Sequence, residues 1–430
     1  MNQKPHIVIV GGGFAGIEAA KALGSGYVRV TLIDRYNHHL FQPLLYQVAT
    51  AGLSPGEIAA PLRAVFRDSP HIEVMWREVT GVDSENKKVL MGEESLSYDS
   101  LIIATGSEYN YFGNEQWKEF APNLKTLRDA TLIREKILVS LEKAESSTDP
   151  VERKRLLSFV MIGGGPTGVE LAGAVAELVR LSLSREYRKI DEKEVRILLI
   201  EAQKSILSSF PEPLSNRALQ DLRDLGVEVR LETKVVSIEK QRVVTDGEDI
   251  ASDNIVWAAG VRPTPVAQWL GVKADRGGRV PVDGFLQAVG VNDVYVIGDA
   301  SGTFDDKGMP LPALAPVAIQ QGKYVGKRLN RIIDGRDDSR EFRYWDKGSL
   351  ATIGRSKAIA LIGPFRLSGF AAWLTWLFVH LMYLVGFENR LLVFVQWAWY
   401  YFTFKRSIRL ITERSKWESK ANLKETKSGS

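Results

Sequence analysis

Six glycines at two matched spacings are the residues of this chain best suited to chemistry. Ile7-Val8-Ile9-Val10 runs into Gly11-Gly12-Gly13-Phe14-Ala15-Gly16. Phe159-Val160-Met161-Ile162 runs into Gly163-Gly164-Gly165-Pro166-Thr167-Gly168, 152 positions later. Each reads as G-x-G-x-x-G between a short apolar strand and a helix. A pyrophosphate needs close backbone approach and unpaired N–H donors. Glycine permits the approach, and a helix N-terminus supplies donors and partial positive charge. Gly11, Gly13 and Gly16 suit these parts in the first copy, and Gly163, Gly165 and Gly168 in the second. One such turn is a weak signal. Two imply a chain that holds two dinucleotides, which points towards electron transfer between them.

An acid at the end of the following strand is expected to accept hydrogen bonds from the adenosine ribose. In the first copy this is Asp34, after Val30-Thr31-Leu32-Ile33 and 18 residues past Gly16. In the second it is Glu201, after Ile197-Leu198-Leu199-Ile200 and 33 residues past Gly168. The longer gap reads as a helical extension and a loop through Glu177–Lys193. Glu201 also selects between nicotinamide cofactors. A carboxylate ~4 Å from a 2′-phosphate repels each unit of charge by about 4 kcal/mol at an effective dielectric of 20. About 2.8 kcal/mol is already 100-fold, so NADH is expected over NADPH. Arg196 and Lys204 lie near in sequence and would soften the preference.

The elements that must position these groups are also duplicated. Leu101-Ile102-Ile103-Ala104-Thr105-Gly106 follows the first fingerprint and Asn254-Ile255-Val256-Trp257-Ala258-Ala259-Gly260 the second, with end glycines 154 apart. Matched landmarks imply two whole nucleotide-binding units. Residues 7–10 and 159–162 read as buried parallel strands, each leading into a helix, at 17–23 and 169–181. The charged stretch 145–155, with Pro150, reads as a surface segment before the second unit. Val294-Tyr295-Val296-Ile297 reads as a further strand, ending at Gly298-Asp299.

Bulk properties agree. A chain of 430 residues is too long for one simple core. A formal charge of +4 is small and does not suggest a nucleic-acid partner. Cysteine is absent, which excludes disulfides, thiolate metal sites and a thiol redox relay. No metal-ligand spacing is evident: His38 and His39 are adjacent, and a solvated or loop role is expected. Met1–Pro5 runs straight into the first strand, so a cytoplasmic bulk is expected.

The tail differs in composition. Phe370–Phe387 and Leu391–Phe404 are almost wholly apolar, and are followed by Lys405, Arg406, Arg409, Arg414 and Lys416. As helices these runs are ~27 and ~21 Å long, short of a ~30 Å hydrocarbon core. Two helices lying in one leaflet are expected, with the basic residues meeting anionic headgroups. The end, from Ser419, is polar and expected to be disordered.

The order G-x-G-x-x-G, A-T-G, G-x-G-x-x-G, G-D resembles the two-dinucleotide flavin oxidoreductases. That resemblance places FAD on the first fingerprint, with Thr105, Gly106 and Gly298 in its site and Asp299 bonded to the ribityl chain. It places NADH on the second fingerprint, with Gly260. The 294–297 strand then belongs to the first unit. Thioredoxin-reductase-like and sulfide:quinone-reductase-like relatives pass electrons through cysteines, which this chain lacks. His39-Leu40-Phe41-Gln42-Pro43-Leu44-Leu45-Tyr46-Gln47-Val48-Ala49, Ala315-Pro316-Val317-Ala318-Ile319-Gln320-Gln321-Gly322 and the apolar tail are similar to the type II NADH:quinone oxidoreductases. The resemblance covers roughly residues 5–412.

This family's A-Q-x-A-x-Q motif has Pro316 here at its first Gln, while Gln320 fills the second and would face quinone and flavin. Glu170 stands where the family has G-x-G-x-x-G-x-E, implying a place near the nicotinamide–flavin junction and a proton-handling role. Glu18 holds the same place in the first copy, which favours instead a helix-dipole acid at both. The resemblance implies an α/β fold of two Rossmann-like domains plus a C-terminal membrane-binding helical segment. The expected divisions are 1–120 with 270–345 for FAD, 121–269 for NADH and 346–430 for the membrane. The expected activity passes hydride from NADH to FAD and two electrons to a membrane quinone, without proton pumping. Residues 366–416 would touch the inner membrane from its cytoplasmic face, and a homodimer is compatible. A reductase of a small ferredoxin- or rubredoxin-like protein, and a non-catalytic FAD/NADH redox sensor, are the alternatives.

Overall fold

The computed structural model describes residues 4–24, 27–183, 186–336, 339–385, 387–403 and 408–411. Two parallel sheets carry the fingerprints. The first has the strand order Val294–Val296, Ser100–Ile103, His6–Val10, Arg29–Asp34, Ile72–Trp76. The second has the order Val227–Arg230, Arg196–Ile200, Ser158–Ile162, Asn254–Trp257. Both fingerprint strands are buried at every position, as strands covered on both faces must be. Their registers are equivalent: His6 pairs with Arg29 and Ile7 with Ser100, while Ser158 pairs with Arg196 and Phe159 with Asn254. The 294–296 strand lies parallel beside Ser100–Ile103, as the fifth strand of the first sheet.

The helices explain the unequal spacing of the two acids. Phe14–Ala22 has 9 residues, whereas Pro166–Leu183 has 18. Both begin earlier than apolar periodicity alone indicates, at the fingerprint turn itself. The stretch 145–155 is a surface segment, as its charge indicates: none of its residues is buried, and most of it is helical. Residues through Ser146 close the 20-residue helix Leu127–Ser146, which buries Ile133, Ile137, Leu141 and Ala144. Pro150 opens a second helix, Pro150–Leu156, whose N-cap Asp149 accepts from the Val151 N–H. Proline at a first helical turn loses no hydrogen bond, so here it starts a helix.

A two-stranded antiparallel ribbon, Ser107–Tyr109 with Val261–Pro263, runs between the two sheets. The helix Ala315–Ile333 returns to the first unit and packs on Phe14–Ala22 through small residues. A Cβ on Gly322 would lie 2.2 Å from the Ala15 carbonyl oxygen, and one on Gly326 2.5 Å from that of Ala19.

The C-terminal part begins with an antiparallel meander, Ser349–Gly354, Lys357–Ile362 and Phe365–Ser368. It sits against Pro166–Leu183 so closely that a Cβ on Gly173 would fall 1.7 Å from the Ile353 oxygen. Helices Gly369–Tyr383 and Phe387–Thr403 follow. Their Ala372, Trp376 and Val393 join one buried cluster with Phe159, Val169 and Tyr46. Trp397 Nε1 donates to Gln47 Oε1 at 2.8 Å, and the Gln396 amide donates to Glu57. Among the described residues no helix is long and apolar enough to cross a membrane. Lys405, Arg406, Arg414, Lys416 and the 419–430 end lie outside the described residues.

Candidate functional site

The two glycine turns have nearly the same geometry. Gly11 has φ +107° and Gly163 φ +114°, a left-handed region open to glycine. A Cβ on Gly16 or Gly168 would sit 1.8 Å from the carbonyl oxygen of Gly11 or Gly163, so only glycine fits at the third position of each helix. Gly13 and Gly165 differ in kind. A Cβ there would meet nothing within 4 Å, so their absent side chains serve no packing within the protein. Each leaves a cradle at a helix N-terminus that a Cβ would fill, and this fits a pyrophosphate.

Asp34 and Glu201 close the two cradles identically. Asp34 Oδ2 accepts the Gly12 N–H at 2.5 Å and its Oδ1 that of Tyr36 at 2.6 Å. Glu201 Oε2 accepts the Gly164 N–H at 2.5 Å and its Oε1 that of Gln203 at 2.7 Å. A carboxylate has about four acceptor sites, so both retain capacity for ribose hydroxyls. Burial pushes the Asp34 carboxyl above its ordinary range, against the pull of those N–H groups. Arg196 does not soften Glu201: its guanidinium binds Glu228 at 2.9 Å and Glu248 at 2.8 Å. Gly260, at φ +70°, lies against the Phe112 ring.

The Gly298-Asp299 turn lies beside the Thr105-Gly106 turn. Thr105 Oγ1 is 2.6 Å from Thr264 Oγ1. Gly298, at φ +73°, donates its N–H to Gln321 Oε1 at 2.6 Å, and Gln321 Nε2 donates to Thr303. Ser107 Oγ donates to Asp299 Oδ2 at 2.5 Å, and Lys125 Nζ donates to Ser107 Oγ at 3.1 Å. Sequence reasoning missed Gln321, Ser107 and Lys125. No local pattern marks them, because their partners are distant in the chain.

Gln320 is anchored at both ends of its amide. Its Nε2 donates to the Trp345 carbonyl at 2.9 Å, and its Oε1 accepts the Trp345 N–H at 3.0 Å. It keeps one N–H and one lone pair. His39 departs from the expected solvated role: it is buried, with Nδ1 3.1 Å from the Gly12 oxygen, and burial lowers its pKa to about 4. It packs edge-on against Phe14, which in turn packs against Phe41, and Phe41 packs against His380.

Glu170 is the fifth residue of Pro166–Leu183, past its first turn, and faces the C-terminal meander. Its only described contact is a long one from the Thr352 N–H at 3.4 Å. Burial raises its pKa to about 8, so it carries its proton at neutral pH. Glu18, its counterpart, has Lys323 at 3.3 Å and Lys21 at 3.7 Å. The two acids therefore do not share one structural role.

The tail helices divide by face. Phe370, Leu374, Phe378 and Met382 recur every four residues and are all exposed, while Ala372 and Trp376 turn inward. Leu391, Phe394, Val395 and Trp399 are exposed on the second helix. Arg409 is held by Glu186 at 2.6 Å.

Two open dinucleotide cradles with a G-D turn beside the first define a nicotinamide-linked flavoprotein oxidoreductase. Residues 5–322 match the pyridine nucleotide-disulphide oxidoreductase family, although the chain has no cysteine to form a disulphide. Residues 346–406 match the NDH2 C-terminal domain. The chain is 39% identical over 427 residues to the type II NADH:quinone oxidoreductase Ndh of Mycobacterium tuberculosis, covering 96% of this chain and 91% of that one. It is 32% identical to the mitochondrial internal alternative NAD(P)H-ubiquinone oxidoreductase A1 of Arabidopsis thaliana, covering 92% and 84%. The fold superposes on the Plasmodium falciparum NDH2 solved with NADH, with TM-score 0.85 and 22% identity, over 95% of this chain and all of that one. This chain belongs to the type II NADH:quinone oxidoreductases.

Proposed function

We propose that this chain oxidises NADH at the Gly163–Gly168 cradle and reduces a membrane quinone through FAD held at the Gly11–Gly16 cradle. The observation that carries this reading is the pair of open positions, Gly13 and Gly165, each closed by an acid bound to the turn's own N–H. FAD, when bound, supplies the two-electron carrier between nicotinamide and quinone. Gly11, Gly13, Gly16, Asp34, Thr105, Gly106, Gly298 and Asp299 hold it. Gly163, Gly165, Gly168, Glu201 and Gly260 hold NADH, and Glu201 excludes a 2′-phosphate. The divisions 1–120 with 270–345, 121–269 and 346–430 serve FAD, NADH and membrane in turn.

Quinone reduction consumes two protons. Glu170 is protonated near neutral pH and lies at the seam between the second cradle's helix and the C-terminal meander. It is the proton donor of this reading, and Gln320 offers the remaining N–H of its amide to a quinone carbonyl. The exposed face of the two tail helices rests in one leaflet. At roughly 1.5–3 kcal/mol for a fully buried large apolar side chain, even partial burial of this face holds the enzyme at a lipid surface. The inner membrane's cytoplasmic face is the location proposed.

Stopped-flow reduction with NADH, followed by mixing with a soluble quinone analogue, tests the reading. Rapid bleaching of the flavin and rapid recovery on quinone are expected. Recovery only with a small iron–sulfur protein, or with neither acceptor, would overturn it.

A further inference from the structure

Three segments far apart in sequence meet at the Gly298-Asp299 turn. Ser107 begins the ribbon that leaves the first sheet. Lys125 lies just before the helix Leu127–Ser146, whose Asp129 accepts its backbone N–H at 3.2 Å. Asp299 follows the strand Val294–Val296. Lys125 Nζ donates to Ser107 Oγ at 3.1 Å, and Ser107 Oγ donates to Asp299 Oδ2 at 2.5 Å. The hydroxyl has a single proton, which it gives to Asp299, and it accepts from the ammonium. The chain of bonds therefore has one polarity, from cation to anion.

Lys125 is an unusual residue to find here. Burial opposes its charge, which Asp299 supports. An enclosed ammonium one hydroxyl away from its counter-ion is costly to keep. It makes no direct ion pair that would offset this cost, among the described residues. Ser107 is itself buried, and the ribbon it starts pairs with Val261–Pro263. The relay thus runs from the segment that opens the second unit to the turn of the first.

We propose that Lys125 is a positioning residue for the flavin site. Through Ser107 it fixes the Asp299 carboxylate and sets a positive charge beside the cofactor, which raises the cofactor's reduction potential. Two-electron reduction adds negative charge to a flavin, and a fixed cation in a low-dielectric site stabilises that charge. This inference rests on the reading of Gly298-Asp299 as part of the FAD site.

The test is the FAD midpoint potential of the holoenzyme, read from flavin absorbance during titration against a reference dye. FAD content is measured alongside. Lys125→Met is expected to shift the reduction equilibrium at least tenfold towards oxidised flavin, about 30 mV for a two-electron couple. Lys125→Arg is expected to restore most of the shift. Ser107→Ala, which keeps both charges and loses the relay, is expected to fall between them. Equal potentials in wild type, Lys125→Met and Ser107→Ala overturn the inference. If Lys125→Met does not retain FAD, Ser107→Ala decides: an unchanged potential overturns it and a lowered one supports it. Asp299→Asn separates the two levels. FAD affinity and potential unchanged by Asp299→Asn overturn the site reading. Affinity lost there, with Lys125→Met unchanged, overturns only the role of Lys125.

Discussion

Glu18 and Glu170 occupy the same turn of the two fingerprint helices, yet one is a paired carboxylate and the other is not. Lys323 and Lys21 flank Glu18, whereas among the described residues Glu170 meets only the Thr352 N–H at 3.4 Å. The duplication that built the two cradles has been kept in the glycines and lost in this acid.

This difference gives a pH signature. The folded state holds the Glu170 proton up to about pH 8, while an unfolded glutamic acid releases it near its ordinary value of 4.5. Between those values the native state binds more protons, so stability contributed by this group falls as pH rises and levels off above about 8. Glu170→Gln is neutral throughout. Its Tm advantage over wild type is expected to grow from pH 5 to 8 and then flatten. A difference constant across that range refutes the desolvated, protonated acid. The quinone step of Glu170→Gln is also expected to lose any limb near pH 8 that the wild-type profile has.

The glycines separate by cause. Gly13→Ala adds a methyl where no protein atom lies within 4 Å, so the apoprotein should keep its stability within about 0.5 kcal/mol and lose FAD. Gly165→Ala should keep FAD and raise KM for NADH. Gly16→Ala places a methyl 1.8 Å from the Gly11 oxygen and should fail to fold. Calorimetry with flavin absorbance distinguishes these outcomes; a Gly13→Ala enzyme with full FAD affinity would falsify the open-cradle reading.

Glu201 has no cation on its own strand to offset it, since Arg196 is bound by Glu228 and Glu248. Wild type is expected to favour NADH over NADPH by roughly 100-fold in kcat/KM, in line with the charge repulsion at the ribose. Glu201→Gln should raise kcat/KM for NADPH about tenfold or more and leave FAD content untouched. Equal use of both cofactors by the wild type would contradict this.

On the tail, Leu374→Glu with Phe378→Glu changes only exposed positions. Tm should hold, while partition onto anionic vesicles falls at least ~100-fold, as expected for losing two apolar contacts of 1.5 kcal/mol or more each. Retained flotation with vesicles would place the membrane contact elsewhere.

How far the sequence could be read depended on the range of the interaction. The glycine turns were legible because their jobs are local: Gly16 must clear Gly11, five residues away. The strand at 294–296 could be assigned only by likeness, because its pairing with Ser100–Ile103 is tertiary. Pro150 marked the surface segment but not the helix it opens, because proline both breaks and begins helices and the Asp149 cap distinguishes the two uses. Gln320 was singled out by motif, but its neighbour Gln321 holds the Gly298 N–H. Lys125 had no sequence signature at all, since its relay to Asp299 passes through a Ser107–Asp299 bond that spans 192 positions.

The meander rests on the second unit's helix at Gly173, while Gln396 and Trp397 reach Glu57 and Gln47 of the first. The tail is thus a clasp across both halves, not an appendage. Truncation at 366 would remove Ala372, Trp376 and Val393 from the shared core and open the enzyme. A more polar tail that keeps the clasp is therefore reached by changing the exposed outer face residue by residue, with the inward-facing residues left in place.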